Sequence, residues 1–135
     1  KPQPLRLSEA AKTAMPYKLV WELRGIVVEF SGDVSIRDMQ KAAEQYTGDI
    51  RFDHLKFVIA DYSRITSCVA NPSEIEAVWV LDYGAKRSNL DVRKAVVTTN
   101  ARVIDLADFY VERLGGAFPV KIFPTQVEAR SWLSP

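Results

Sequence analysis

LKFVIADYSRITSCVANPSEIEA, residues 55–77, is the stretch whose reading decides the fold. Residues 55–63 form an apolar run rich in Phe, Val, Ile and Tyr. A run of that length and composition predicts a strand buried on both faces. The far end is a helix start. Asn71 can cap, Pro72 suits the first helical position, where no N–H is needed, and Glu74 sits where the helix dipole favours an acid. The small polar residues between Ser63 and Ala70 predict a strand-to-helix loop.

The neighbours on both sides continue the pattern. YKLVWEL and GIVVEFSG predict two strands joined by a tight turn at Arg24-Gly25. Ser35, with Asp38 three residues later, predicts a helix start, and Ile36, Met39, Ala43 and Tyr46 then share one helical face. Gly48 ends that helix. After the quoted stretch the second helix reaches about Arg87. RKAVVTTN is a strand, ARVIDLADFYVERLGG a helix, and PVKIF a strand. Thr125 and Glu128 box the start of a last short helix. The order β-β-α-β-α-β-α-β-α predicts a single α/β domain. Its sheet is mixed, mostly parallel and five-stranded, with an antiparallel edge hairpin and about four helices. Residues 17–135 form this domain. Residues 1–16, with three prolines, are an N-terminal arm holding at most one helical turn over residues 8–15.

Bulk properties exclude several functions. The chain has 135 residues, and its net charge of +1 gives no electrostatic footprint for nucleic acid. No apolar run approaches the ~20 residues of a membrane span. Cys68 is the only cysteine and His54 the only histidine. Together they exclude an internal disulfide, make a zinc site of the usual ligands implausible, and suit a reducing, cytoplasmic setting. Lys1 rather than Met leaves a trimmed N-terminus open. No phosphate-cradling glycine loop or dinucleotide fingerprint is present, and no cofactor is implied.

Three features in this order resemble the SpoIIAA-like branch of STAS-type domains. They are GIVVEFSGDVSIRDM, then FVIADYSRI with its strand-ending Asp61, then RKAVVTTNARV followed by KIFPTQVEARSWL. The last stretch carries Phe123, Glu128, Ala129, Arg130, Trp132 and Leu133. The resemblance implies a binding or regulatory domain that is not an enzyme. It also implies a structural kinship with lipid-carrying CRAL-TRIO (Sec14-type) domains. Anti-sigma-factor antagonists of the family carry Asp-Ser-Ser-Gly at the strand-to-helix turn, where a serine is phosphorylated. The matching positions here are Val69, Ala70, Asn71 and Pro72. None bears a hydroxyl, so the phosphoserine switch is not carried over. Ser67 and Ser73 flank the place but match only with a gap, and Ser73 is simply a good first-turn residue.

No catalytic set can be assembled. His54 enters the central strand at the end of the sheet opposite Cys68, Ser63 and Asp61, so neither a Cys-His pair nor a Ser-His-Asp triad can form. Cys68 is expected as a small buried apolar residue. Ligands of open α/β sheets sit outside the C-terminal strand ends. Ser31, Asp33, Asp61, Ser63, Thr98, Thr99 and Asn100 are expected at that edge. They could orient a ligand head, or serve only as turn residues.

The second helix supplies another expectation. Ile75, Trp79 and Tyr83 form one stripe, while Ala77, Val80 and Leu81 lie on other sides, so it is apolar nearly all round. Such a helix is either deeply buried or meets something else. In the third helix Phe109 is expected amid Arg102, Asp105, Asp108, Glu112 and Arg113, with Val103, Ile104, Ala107, Tyr110, Val111 and Leu114 buried. Ile75, Trp79, Val80, Tyr83 and Phe109 are thus the expected apolar surface for a protein partner, a second copy in a homodimer, an apolar small molecule or a transient membrane contact. The first expectation is a non-enzymatic STAS-like binding or regulatory domain acting through a protein or small ligand. The alternative is a carrier or sensor of a lipid or other apolar ligand, with an apolar cavity behind Trp79 and Tyr83.

Overall fold

The computed structural model describes residues 16–70, 74, 76–85, 89, 91–114 and 119–134. The expected arm lies outside these residues apart from Pro16. So do the proposed helix start at Asn71, Pro72 and Ser73, Ile75, and the side chains of Trp79 and Tyr83.

The elements follow in the expected order. They are β1 (Tyr17–Trp21), β2 (Gly25–Ser35), α1 (Ile36–Thr47), a 3-10 turn (Ile50–His54), β3 (Phe57–Val69), α2 (Glu76–Ala85), β4 (Arg93–Val97), α3 (Ala101–Leu114), β5 (Val120–Phe123) and α4 (Gln126–Leu133). The strands stand side by side in sequence order, β1-β2-β3-β4-β5. β1 pairs antiparallel with β2, and every other pair is parallel.

This order dictates where the helices go. The parallel strands advance in one direction across the sheet. Crossovers of one common hand must then all pass over the same face. Met39 of α1, Val78 of α2, and Val103, Leu106 and Tyr110 of α3 accordingly share one core with Ile26, Val28, Phe30, Val58, Ala60, Tyr62 and Val96. Among the described residues, the opposite face is covered by α4. Its Ala129 is fully buried against Val27, Ile59, Ala95 and Val97, and Trp132 and Leu133 pack around them. Ile59 has no exposed surface. It sits on the middle strand, as the apolar run around it requires.

Local sequence sets α1 as expected. Ser35 Oγ accepts from the Asp38 amide at 3.2 Å, and Asp38 Oδ2 accepts from the Ser35 amide at 2.9 Å. Ile36, Met39, Ala43 and Tyr46 are buried, with Ala42 beside them. At the start of β2, the Phe57 ring lies over Gly25 so closely that a Cβ there would come within 2.3 Å of it. Any larger residue there would force that ring to shift.

Several boundaries differ from the sequence reading. β3 does not end at Ser63. It runs to Val69, so the expected loop is strand. β2 likewise continues through Gly32 to Ser35, and the two long strands pair outward together. Backbone pairing between strands, rather than side-chain polarity, sets their length. β4 stops at Val97, and Thr98 to Asn100 lead into α3 instead. In α3 the buried face is Val103, Leu106, Ala107 and Tyr110, while Val111 is exposed. Phe109 is not amid the polar face. It is half-buried against the core, with the Arg113 guanidinium 5.8 Å from its ring. In α2, Val78, Leu81 and Ala85 make one inward stripe and Val80 is 56% exposed. Val80, expected on the apolar surface, is thus exposed, and the side chains of Trp79 and Tyr83 lie outside the described residues.

A chain of polar contacts pins α4. Asp61 Oδ2 accepts from Gln126 at 2.7 Å, and Gln126 Oε1 accepts from Arg130 Nε at 2.9 Å. Arg130 then grips Glu22 of the β1–β2 turn with two bonds, at 3.0 and 2.6 Å. The Arg130 hydrogen bond holds the Glu22 carboxyl below its ordinary 4.5. A carboxyl lowered on folding contributes stability above its unfolded pKa and loses it as pH falls through the folded value. Both side chains are partly exposed, so the pair is screened and stays below about 1 kcal/mol. Glu22→Gln is expected to lower the melting temperature slightly at neutral pH, by the equivalent of less than about 1 kcal/mol, and to flatten its fall on acidification below the ordinary glutamate range. Thermal melts across that window check it. Ser35→Ala is expected to cost about 1 kcal/mol through loss of the cap, read by urea denaturation.

Candidate functional site

The polar residues expected at the C-terminal strand ends divide into three places, and no described hydrogen bond joins the three. Asp61 is committed to structure. Besides Gln126, its Oδ1 accepts from the Ser63 amide at 2.9 Å. Thr98 and Asn100 make the start of α3. Buried Thr98 accepts from the Asn100 amide at 3.0 Å, and Asn100 Oδ1 accepts from the amides of Arg102 and Val103 at 2.9 and 3.1 Å. Thr99 is exposed beside them. Ser31 and Asp33 lie farther out, on the long β2–β3 pair. Ser31 is exposed, aligned with Arg64, and its amide donates to Pro16 O at 2.8 Å. Asp33 Oδ1 accepts from Thr66 Oγ1 at 2.9 Å and Ser67 Oγ at 2.7 Å, and these hydroxyls hold its carboxyl below the ordinary aspartate value.

That outer pair is the most distinctive feature of this pole. The last β3 residue paired with β4 is Asp61. Among the described residues, positions 63–69 of β3 have a strand on the β2 side only. The register of β2 shifts between Glu29 and Ser31 and again between Gly32 and Asp33. Gly32 takes φ +70°, a conformation that favours glycine. Irregularities of this kind bend and twist a strand pair. Arg64 and Thr66 are exposed on this pair, and Val69 is 74% exposed.

Where β3 ends, an open cleft of 430 Å³ is lined by Cys68, Val69, Ala70, Glu74 and Arg102. Arg102 Nη1 donates to Ala70 O at 3.3 Å and so ties the start of α3 to the end of β3. Sequence reasoning placed Arg102 merely on a polar face. The available signal was its position, since a cation in a first helical turn opposes the dipole and invites another role. Cys68 is buried, and burial pushes its thiol pKa up while Arg102 partly offsets this. His54 is exposed at the entry to β3, at the opposite end of that strand.

The helix-covered face holds two small cavities, of 30 and 20 Å³, both bordered by Met39, Tyr62, Val78 and Lys94. Spaces of that size hold water-sized molecules rather than an acyl chain. Lys94 is buried there, with Nζ 3.3 Å from Tyr110 Oη and 4.6 Å from that ring's centroid. Sequence reasoning missed it, although strand alternation in RKAVV puts Lys94 on the face opposite Arg93. Among the described residues no group of three or more His, Cys, Asp or Glu could hold a metal ion. No helix among them is long and apolar enough to cross a membrane.

The fold is the SpoIIAA-like (STAS) fold. The unphosphorylated anti-sigma factor antagonist SpoIIAA matches with a TM-score of 0.56 at 13% identity, over 87% of this chain and 96% of that one. The phosphorylated form of the Bacillus cell fate determinant SpoIIAA matches at 0.54 and 13%, over 87% and 99%. An anti-sigma factor antagonist from Mycobacterium paratuberculosis matches at 0.52 and 15%, over 87% and 92%. At these identities the likeness is one of fold. No family model matches the chain, and no curated protein is significantly similar to it in sequence.

Burial of Cys68 gives a direct expectation. With Ellman's reagent near neutral pH, the folded protein should react at least about tenfold more slowly than the unfolded chain, because the thiolate is the attacking species. Comparing labelling rates with and without denaturant checks this.

Proposed function

We propose that this chain is a non-enzymatic regulatory domain of STAS-like type that binds a partner protein at the outer β2–β3 pair and the adjoining cleft, without a phosphoserine switch. The observation that carries the proposal is the β3 edge at positions 63–69, which pairs with no second strand among the described residues. Unpaired strand edges present a row of backbone donors and acceptors to which an extended segment can add, with alternate side chains supplying specificity. Arg64, Thr66 and Val69 give this edge a mixed polar and apolar character, and the cleft at Cys68 and Arg102 adjoins the end of the strand. The positions that match the phosphorylated serine's turn hold no hydroxyl, so recognition here is constitutive rather than gated by phosphate at that place. The polar groups at the strand ends are spent on capping and on α4, which argues against acid–base work by Asp61, Thr98 and Asn100. The small cavities give no specific support to the carrier of an apolar ligand.

The test compares two exposed valines at different places. A photo-crosslinking amino acid is placed at Val69 on the β3 edge, or at Val127 on α4, which is 79% exposed. The protein is irradiated in its cells of origin. The expected result is a discrete, stoichiometric protein adduct from position 69 and none from position 127. No adduct at 69, or the same adducts from both positions, would sink the proposal. A small apolar molecule released on denaturation in native mass spectrometry would put the carrier in its place.

A further inference from the structure

The opposite pole carries a feature that the partner edge does not use. β2, β3 and β4 begin side by side, with Gly25, Phe57 and Arg93 in register. Two backbone bonds fix these starts. The Lys56 amide donates to Arg24 O at 2.7 Å, and the Arg93 amide donates to Lys56 O at 3.0 Å. Three cationic residues, Arg24, Lys56 and Arg93, are thereby brought to adjacent strand starts about 4.8 Å apart. Arg130 joins them from α4. All four line one open groove of 670 Å³, whose volume is within the range of small-molecule sites.

The charges in this groove are only partly balanced. Asp91 reaches Lys56 at 3.5 Å, with both side chains more than half exposed. Glu22 is taken by Arg130. Arg24 and Arg93 have no carboxylate partner among the described residues. Arg93 is held in another way, with its guanidinium 4.0 Å from the centroid of the Trp132 ring. Stacking fixes the plane of a guanidinium while leaving N–H groups along its edge for a ligand, a geometry suited to the paired oxygens of phosphate. Phe57, held over Gly25, and Leu133 give the same groove apolar lining.

We infer that this groove binds a phosphate monoester, with the phosphate on Arg93 and Lys56 and an apolar substituent against Phe57 and Leu133. Like charges gathered in one groove repel one another until an anion enters, so occupancy also stabilises the fold.

Phenyl phosphate titrated into the 15N-labelled protein tests this. The expected result is saturable shifts of the Trp132 indole N–H and the Lys56 and Arg93 amides, with tighter binding than inorganic phosphate. Lys56→Gln, at a half-exposed position that leaves the core untouched, is expected to weaken binding about tenfold, the loss of one charge-assisted hydrogen bond. Arg93→Gln should weaken it further. Lys41→Gln, on the exposed side of α1, should leave it unchanged. No saturable shift at millimolar phenyl phosphate would overturn the inference. So would unchanged affinity in Lys56→Gln, or shifts centred on Asn100 and Arg102.

Discussion

Five strands laid in sequence order, four of them parallel, leave the crossover helices no choice of side. With one hand of connection, α1, α2 and α3 must all cover the same face. On the other face, the described residues that pack against the sheet are those of α4. The eight residues of α4 close it. Ala129 presses on Ile59 and its neighbours, and the chain from Asp61 through Gln126 and Arg130 to Glu22 holds the helix across the sheet. The final helix is small, yet the burial of the middle strand on its second face depends on it.

The same constraint makes the two poles chemically different. At the C-terminal pole, Thr98 and Asn100 are engaged in the start of α3 and Asp61 in holding α4, and the long β2–β3 pair projects past β4. At the N-terminal pole, three strand starts bring cations together beside Trp132. The acids that balance them are outnumbered and partly exposed. The cleft at the end of β3 and the cationic groove share no lining residue.

How much of this was legible in the sequence varies from residue to residue. The α1 start could be read because a capping box is a contact between residues three apart, and its chemistry is complete within four residues. The middle strand could be read because burial on both faces leaves a continuous apolar run. Asp61 was read as ending its strand, whereas β3 runs on to Val69, and its partner Gln126 is distant in sequence, so its task was not readable. Arg102 and Lys94 were missed for the same reason: their meaning lies in Ala70 and Tyr110, which only folding brings close. The outer part of β3 looked like a loop because its side chains are small and polar. Its conformation is set by pairing with β2.

The sequence by itself determined the order and kind of the elements, the single α/β domain, and the resemblance to the SpoIIAA-like fold. The first two follow from periodicity, caps and turn residues, all of which act over a few positions along the chain, and the resemblance from three motifs in their order. The tertiary structure decided how far β2 and β3 extend, which polar residues are spent on architecture, and which cations meet in one groove. Those outcomes depend on strand register and helix placement, and on contacts between residues far apart in the chain, which no local pattern encodes.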